Sequence, residues 1–265
     1  MSFLLIGSML CGLASGVIAG MFGVGGGIII VPVLLFLFFL DGINPVIAMQ
    51  LAVGTSLATI VVTNMLSTWG HNARGAVRWS LARQYVPGTL LGAWLGSRLA
   101  AAMSGKSLIM LFGLFEIFVG WKMLRAREMN SAPVAHPWAR FAPWVGVAIG
   151  SISSLFGIGG GTLSVPALTL LSGLPMQQAV GTSSAIGIPL ALAGTLGFVQ
   201  AGWNNPDLPS GAVGFLAPVA FLGIVVGSLF TTPLGVRLAH AMDPVRLKKG
   251  FGIFLIVVGA KLLWR

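Results

Sequence analysis

The sequence predicts an all-α polytopic membrane protein with two inverted-topology repeats of about five apolar segments each. Three observations predict this fold: too little charge for a soluble surface, a duplicated order of motifs, and basic loops that alternate along the chain. Of 265 residues, 56% are hydrophobic and 8% charged, and the stretches 1–40 and 141–206 contain no charged side chain. Soluble domains have about a quarter charged residues, so we expect this chain to lie in lipid.

The duplication is visible by direct alignment. Residues 12–32 and 146–166 align without gaps and are identical at 11 of 21 positions. The sequence AVGTS follows at 52–56 and recurs at 179–183. A third pair lies near the end of each half, with LGSRLA at 95–100 and LGVRLA at 234–239. The preserved order indicates an internal repeat that covers almost the whole chain.

The repeat divides one integral membrane domain into a first repeat over 1–125, a cytoplasmic linker over 126–140 and a second repeat over 141–265. Each repeat contains five apolar segments. In the first repeat they cover about 3–22, 28–40, 45–68, 84–103 and 107–124, and in the second about 141–156, 162–172, 175–199, 212–236 and 249–264. A helix rises about 1.5 Å per residue, so the second segment of each repeat is too short to cross about 30 Å of hydrocarbon.

The placement of Lys and Arg predicts the inversion, because these residues gather in cytoplasmic loops. The loop 69–83 is basic, whereas its counterpart at 199–211 has no basic residue; the loop 237–249 is basic, whereas its counterpart near 104–106 has one lysine. Equivalent loops therefore prefer opposite sides, and each repeat needs an odd number of crossings. Either all five segments cross, or the first two form a re-entrant hairpin and three cross. In both cases the N- and C-termini are expected outside.

The glycine runs GVGGG (23–27) and GIGGG (157–161) are the first candidate binding site. Glycine runs break helices and expose backbone amides, and at membrane depth such backbone is tolerated where it lines a cavity. Amides at the start of the following helix attract anions. The alternative is close helix packing at glycine. The residues predicted to bind substrate here are Gly25, Gly26, Gly27, Gly159, Gly160, Gly161 and Thr162.

The two Gly-Thr-Ser stretches are the second candidate. Their hydroxyl groups can donate hydrogen bonds to an oxyanion without adding a fixed charge. The alternative is that each hydroxyl bonds back to a carbonyl of its own helix. The predicted substrate-binding residues here are Gly54, Thr55, Ser56, Gly181, Thr182 and Ser183.

Two titratable residues are candidates for ion coupling. Glu116 lies inside an apolar segment, where an acid is a functional hypothesis by default, and His71 lies at the predicted cytoplasmic edge. Three scattered histidines and the single Cys11 offer no spacing for a metal site. Without a nucleophile–base pair or a P-loop, we expect neither an enzyme nor a cofactor, and the scattered basic residues do not resemble a nucleic-acid surface.

These motifs resemble the TauE/SafE family, the sulfite exporter or toluenesulfonate-uptake-permease group. The resemblance rests on Phe22-Gly-Val-Gly-Gly-Gly27 with Val31-Pro32, on Phe156-Gly-Ile-Gly-Gly-Gly161 with Val165-Pro166, on both AVGTS stretches, and on His71 with Gly75-Ala-Val-Arg-Trp79. It covers nearly the whole chain. It implies a membrane transporter of anions, with sulfite, sulfoacetate and other organosulfonates as the substrates that the family suggests.

Together these observations predict a secondary active transporter of a small anion, bound at the midplane between the repeats. A passive anion channel is the alternative. The expected partners are the anionic substrate, the lipid bilayer, a coupling proton or sodium ion, and a second copy of the chain in a homodimer. The expected location is the bacterial plasma (inner) membrane.

Overall fold

The computed structural model describes residues 2–125, 141–241 and 244–264 and folds them into ten α-helices without a strand. The predicted linker 126–140 lies outside the described residues. The helices are α1 (Ser2–Phe22), α2 (Gly27–Leu40), α3 (Pro45–Asn72), α4 (Trp79–Ala102), α5 (Gly105–Arg125), α6 (Ala142–Phe156), α7 (Gly161–Leu170), α8 (Met176–Gly202), α9 (Pro218–Ala241) and α10 (Pro244–Leu263).

Four of these helices are long and apolar enough to cross a bilayer. They cover Phe3–Phe22, Pro45–Asn72, Met176–Gly202 and Pro218–Ala241. Large apolar side chains also cover the outer surface; for example, Leu10 is 62% exposed and Phe230 76% exposed. Such a surface needs lipid as its solvent, which confirms an integral membrane protein.

Several helices extend beyond the predicted apolar segments. The predicted loop 69–83 is mostly helical, because α3 continues to Asn72 and α4 starts at Trp79. The predicted loop 237–249 is also largely helical, and α9 starts at Pro218 rather than near 212. The predicted segments include only residues that are apolar enough for the hydrocarbon core. A helix can continue into the polar membrane interface, because its backbone hydrogen bonds do not depend on apolar side chains.

The two short helices follow the glycine runs, as predicted. Helix α2 has 14 residues and α7 has 10, so they are about 21 Å and 15 Å long. Each begins directly after a glycine in the left-handed conformation, Gly26 and Gly160, both with φ of 81°. A side chain is disfavoured at such a position, which explains why a glycine directly precedes each short helix.

The helices pack in pairs around a central pair. Helix α1 packs on α9, α4 on α6 and α5 on α10, while α3 and α8 pack on each other. Two of these interfaces are glycine contacts with four-residue spacing: Gly12, Gly16 and Gly20 of α1 on α9, and Gly88, Gly92 and Gly96 of α4 on α6. A Cβ atom at any of these six glycines would collide with the facing helix. Close helix packing therefore accounts for many glycines outside the two runs.

Candidate substrate-binding site

The two glycine runs pack directly against each other. A Cβ atom at Gly27, the first residue of α2, would collide with the carbonyl oxygen of Gly157. A Cβ atom at Gly161, the first residue of α7, would collide with the carbonyl oxygen of Gly23. The start of each short helix therefore touches the loop that precedes the other. The sequence predicted two loops at one place, and the structure brings them into contact.

The start of each short helix has no side-chain cap. Neither N-cap residue, Gly26 or Gly160, provides a side-chain hydrogen bond to the first turn. The first turn of a helix has amides without intrahelical partners, and its dipole places about half a positive charge there. The nearest neighbours of these two glycines are Ser15, Leu190, Ser164 and Ile149. The loops can therefore offer a ligand backbone amides and helix dipoles. None of these four neighbours carries a charge.

The serines of the two Gly-Thr-Ser stretches hold the loops in place. Ser56 of α3 donates a hydrogen bond to the Gly157 carbonyl at 2.7 Å. Ser183 of α8 donates to the Gly23 carbonyl at 3.3 Å and lies 2.8 Å from the Ser164 hydroxyl. Each serine thus binds the glycine run of the opposite half of the chain.

The threonines accept hydrogen bonds from the chain segments that precede α9 and α4. The amide of Ala217 donates to Thr55 at 2.9 Å, and the amide of Arg78 donates to Thr182 at 3.0 Å. A Cβ atom at Gly54 would collide with the Phe215 carbonyl. All four Thr and Ser contacts join one half of the chain to the other, so the alternative of bonding to the same helix does not describe them.

Asn64 of α3 is a polar residue that the sequence analysis missed. It is 0% exposed, and within the described part of the chain its amide oxygen and nitrogen have no hydrogen-bond partner. A Cβ atom at Gly25 would lie 3.3 Å from Asn64 Oδ1, and one at Gly159 would lie 3.2 Å from Nδ2. The amide therefore lies where both glycine runs meet. Thr162 Oγ1 is also buried and unpaired within the same described ranges.

His71 lies two turns from Asn64 along α3 and is fully buried. Its Nε2 is 3.0 Å from the Gly20 carbonyl of α1, to which it donates, and its Nδ1 is 3.2 Å from Nε2 of His240 in α9. Between them along the helix, the hydroxyl groups of Ser67 and Ser184 are 2.9 Å apart. One face of α3 therefore carries polar groups from the glycine loops to the end of the helix. His240 is 169 residues from His71, so sequence spacing gave no signal for the pair.

Glu116 lies apart from the loops, on the interface of α5 with α10. Its side chain is 0% exposed, and neither carboxyl oxygen has a partner among the described residues. A Cβ atom at Gly259 of α10 would lie 3.2 Å from Glu116 Cβ. The structure thus places the two predicted coupling residues, Glu116 and His71, on different interfaces.

A groove of about 230 Å³ lies between α2 and α10, also apart from the loops. Its lining is almost entirely apolar and includes Pro32, Phe36, Phe39 and Lys261. The polar groups described above belong to the loop junction and not to this groove. We therefore place the candidate site at the junction, where the chain is tightly packed in this conformation.

Comparison with known proteins identifies the family. The sulfite exporter TauE/SafE family matches residues 8–262. A "Probable membrane transporter protein" of Haemophilus influenzae is 33% identical over 96% of each chain. The "Probable membrane transporter protein YunE" of Bacillus subtilis is 30% identical over 100% of this chain and 98% of its own length. No solved structure matches. The chain belongs to the sulfite exporter TauE/SafE family of membrane transporters.

Proposed function

We propose that this protein is a secondary active transporter of a small anion, such as sulfite or an organosulfonate like sulfoacetate. The anion binds near the bilayer midplane, between two inverted repeats. One observation carries the proposal: the N-termini of α2 and α7 meet through their glycine loops, so that each helix starts against the other loop. Two helix N-termini at one place form an anion site from backbone groups alone.

Matched contacts support the two repeats. Exchanging the halves turns the α1–α9 pair into the α6–α4 pair, and both pairs are in contact. The same exchange relates the Ser56–Gly157 bond to the Ser183–Gly23 bond, and the Thr55–Ala217 bond to the Thr182–Arg78 bond. Contacts that map onto each other in this way are expected from two copies of one unit related by a pseudo-two-fold axis.

The chemistry of the site suits release as well as binding. Sulfite and sulfonates are oxyanions that accept hydrogen bonds from amides and from hydroxyl groups. An arginine or lysine in the site would bind them more tightly through charge-assisted bonds, whereas the nearest neighbours of the loop glycines carry no charge. A transporter must release its substrate, and a site without a fixed cation favours release.

We propose that His71 and Glu116 couple transport to an ion. His71 connects Gly20, three residues before the first glycine run, to His240 and lies near Arg74. A change in its protonation would act directly on the segment that holds the loop. Glu116 acts on the α5–α10 interface instead. A proton is the ion that both groups can bind.

The experiment is anion uptake into proteoliposomes by Gly26→Leu and Gly160→Leu variants. Both positions have φ of 81°, so a side chain there strains the loop, and it also presses on Ser15 of α1 at position 26 or on Leu190 of α8 at position 160. Gly211→Leu is the matched control, because Gly211 has φ of 86° with nothing within 4 Å of an added Cβ. We expect uptake to be lost in the first two variants and kept in the control, with all three inserted in the membrane.

The same assay separates active transport from a channel. Accumulation of sulfite or methanesulfonate above the outside concentration, driven by an imposed proton or sodium gradient, is the result expected for a transporter. Flux that only equalises the two sides would establish the passive channel. Normal uptake by both loop variants would overturn the placement of the site.

A further inference from the structure

We propose that Asn64 is the side chain that determines which anion binds, and that the site selects anions with a single negative charge. This inference rests on the proposed function, because it concerns the same site. It starts from an asymmetry. Position 64 of the first half corresponds to Ala191 of the second half, when the two AVGTS stretches are aligned. The backbone of the site has two related parts, but its buried amide comes from α3 alone.

The position of the Asn64 amide points to a ligand. Its neighbour Thr63 donates a hydrogen bond to the Gly25 carbonyl at 3.0 Å and so anchors the loop. The Asn64 amide is left with donors and an acceptor but no partner within the described chain. A buried amide without partners is unfavourable, and few such groups persist in proteins without a reason. An anion bound at the junction would accept a hydrogen bond from the Asn64 amide nitrogen, which explains why this amide is buried without a partner.

The surroundings of the amide are shaped for it. A Cβ atom at Gly187 of α8 would collide with Asn64 Nδ2 and would lie 2.6 Å from the Gly159 carbonyl oxygen. Position 187 corresponds to Ile60 in the first half, which is fully buried. The absence of a side chain at Gly187 of α8 therefore leaves room for the Asn64 amide of α3. This one-sided arrangement holds the amide against both glycine runs at once.

The charge of the site limits the charge of the ligand. Each helix N-terminus contributes about half a positive charge, so α2 and α7 together provide about one. The neutral Asn64 amide donates hydrogen bonds without adding to this charge. A monoanion is matched by the two helices. A dianion would leave one negative charge without compensation in a buried site, which is strongly unfavourable. Of the anions proposed above, sulfite meets this limit as hydrogen sulfite, HSO3⁻. Sulfoacetate, which has a sulfonate and a carboxylate group, does not meet it, so the inference narrows the proposed substrates to monoanions.

The test uses two tetrahedral anions of similar size, methanesulfonate and sulfate, which carry one and two negative charges. Binding to the purified protein is measured as thermal stabilisation at increasing anion concentration. We expect the wild-type protein to bind methanesulfonate at least about tenfold more tightly than sulfate. Asn64→Ala, which copies Ala191, should lose about tenfold in methanesulfonate affinity. Asn64→Asp should bind neither anion, because it places a negative charge at the junction.

Two further readouts separate ligand binding from a structural role. Without an anion, Asn64→Ala should unfold at the wild-type temperature or above it, because it removes an unpaired buried amide. The exposed Asn204 provides the control Asn204→Ala, which should leave affinity and stability unchanged. A lower unfolding temperature with unchanged affinity would overturn the role of Asn64.

The outcomes also distinguish this inference from the proposed function. If the wild-type protein binds and transports methanesulfonate but Asn64→Ala binds it equally well, the inference about Asn64 is wrong while the transport site stands. If the wild-type protein binds sulfate as tightly as methanesulfonate, the charge selection is wrong. If it neither binds nor transports any of the tested anions, sulfite included, the proposed function itself fails.

Discussion

The central helices α3 and α8 share the AVGTS stretch and then diverge. In the shared part, Thr55 and Ser56 make the same kinds of contact as Thr182 and Ser183. Further along, α3 carries Asn64, Ser67 and His71, all fully buried, whereas the aligned positions of α8 are Ala191, Gly194 and Phe198. The shared part joins the two halves, and the divergent part gives only one of them a polar face.

The ends of the two divergent faces show the same contrast. His71 lies against Gly181 and pairs with His240, whereas Phe198 lies against Gly54 and packs edge-on against Phe215 with ring centroids 6.4 Å apart. In the proposed orientation the His71 end faces the cytoplasm. The site would then be reached through polar groups on the inner side and closed by aromatic rings on the outer side. On the proposed pair of repeats, α3 would line a polar route and α8 an apolar one.

The largest effect is expected at the loop junction, where the two halves of the chain make equivalent contacts. Gly27→Ala and Gly161→Ala each place a methyl group against a backbone carbonyl of the other loop. Because backbone cannot move aside as a side chain can, we expect a loss of about 1–3 kcal/mol in stability and uptake below detection in both variants. Thermal unfolding and proteoliposome uptake measure the two effects.

Gly42→Ala is the control for uptake, since an added Cβ at Gly42 meets nothing within 4 Å. Its φ of 75° disfavours alanine, so it does not serve as a control for stability. It should keep uptake. If one junction variant fails and the other transports normally, the two loops are not equivalent and the symmetric part of the account is wrong.

The second-largest effect is expected when a residue on the polar face of α3 is replaced by the residue at the aligned position of α8. His71→Phe copies Phe198 and removes the bonds to Gly20 and His240. If His71 couples the ion, uptake driven by a pH gradient should fall by at least about tenfold, the scale of a proton-transfer step, while exchange of labelled anion at equal pH continues. His240→Phe removes the partner alone and should have the smaller effect. Loss of exchange and driven uptake together would assign His71 a structural role.

A smaller effect is expected from the contacts that join the halves. Thr55→Val leaves the buried amide of Ala217 without a partner, which costs about 1–3 kcal/mol. Thr182→Val frees the amide of Arg78, which lies at an exposed residue, and water can replace the threonine there. We therefore expect a loss nearer about 0.5–1.5 kcal/mol for Thr182→Val. Thermal unfolding of both variants measures the difference, and equal losses would contradict it.

The smallest effect on the site is expected from Glu116→Gln, because Glu116 lies on the α5–α10 interface. Methanesulfonate affinity should stay within about twofold of wild type, since Glu116 packs against Gly259 of α10 and effects at separate sites are largely independent. If Glu116 binds the coupling proton, the same variant loses uptake driven by a pH gradient. A large change in affinity would instead place the carboxyl group near the site.

The helices and the starts of the short helices could be predicted because they depend on local signals, and the meeting of the glycine runs was expected from the internal repeat. Apolar segments predict helices, and a glycine run before a short apolar segment predicts a helix start. The contacts of Thr55, Ser56, Thr182 and Ser183 could not be predicted, because their partners lie more than 100 positions away. Asn64 was missed for another reason. A single amide in an apolar helix has no spacing that reveals its surroundings, although its lack of a counterpart at Ala191 was a usable signal.

Binding of the anion at the loop junction is tested by a structure determined with bromomethanesulfonate, whose bromine can be located by its anomalous scattering. We expect one bromine peak at the junction of the two glycine runs, in contact with Asn64 and with the first residues of α2 and α7. A peak in the groove between α2 and α10, with none at the junction, would contradict it.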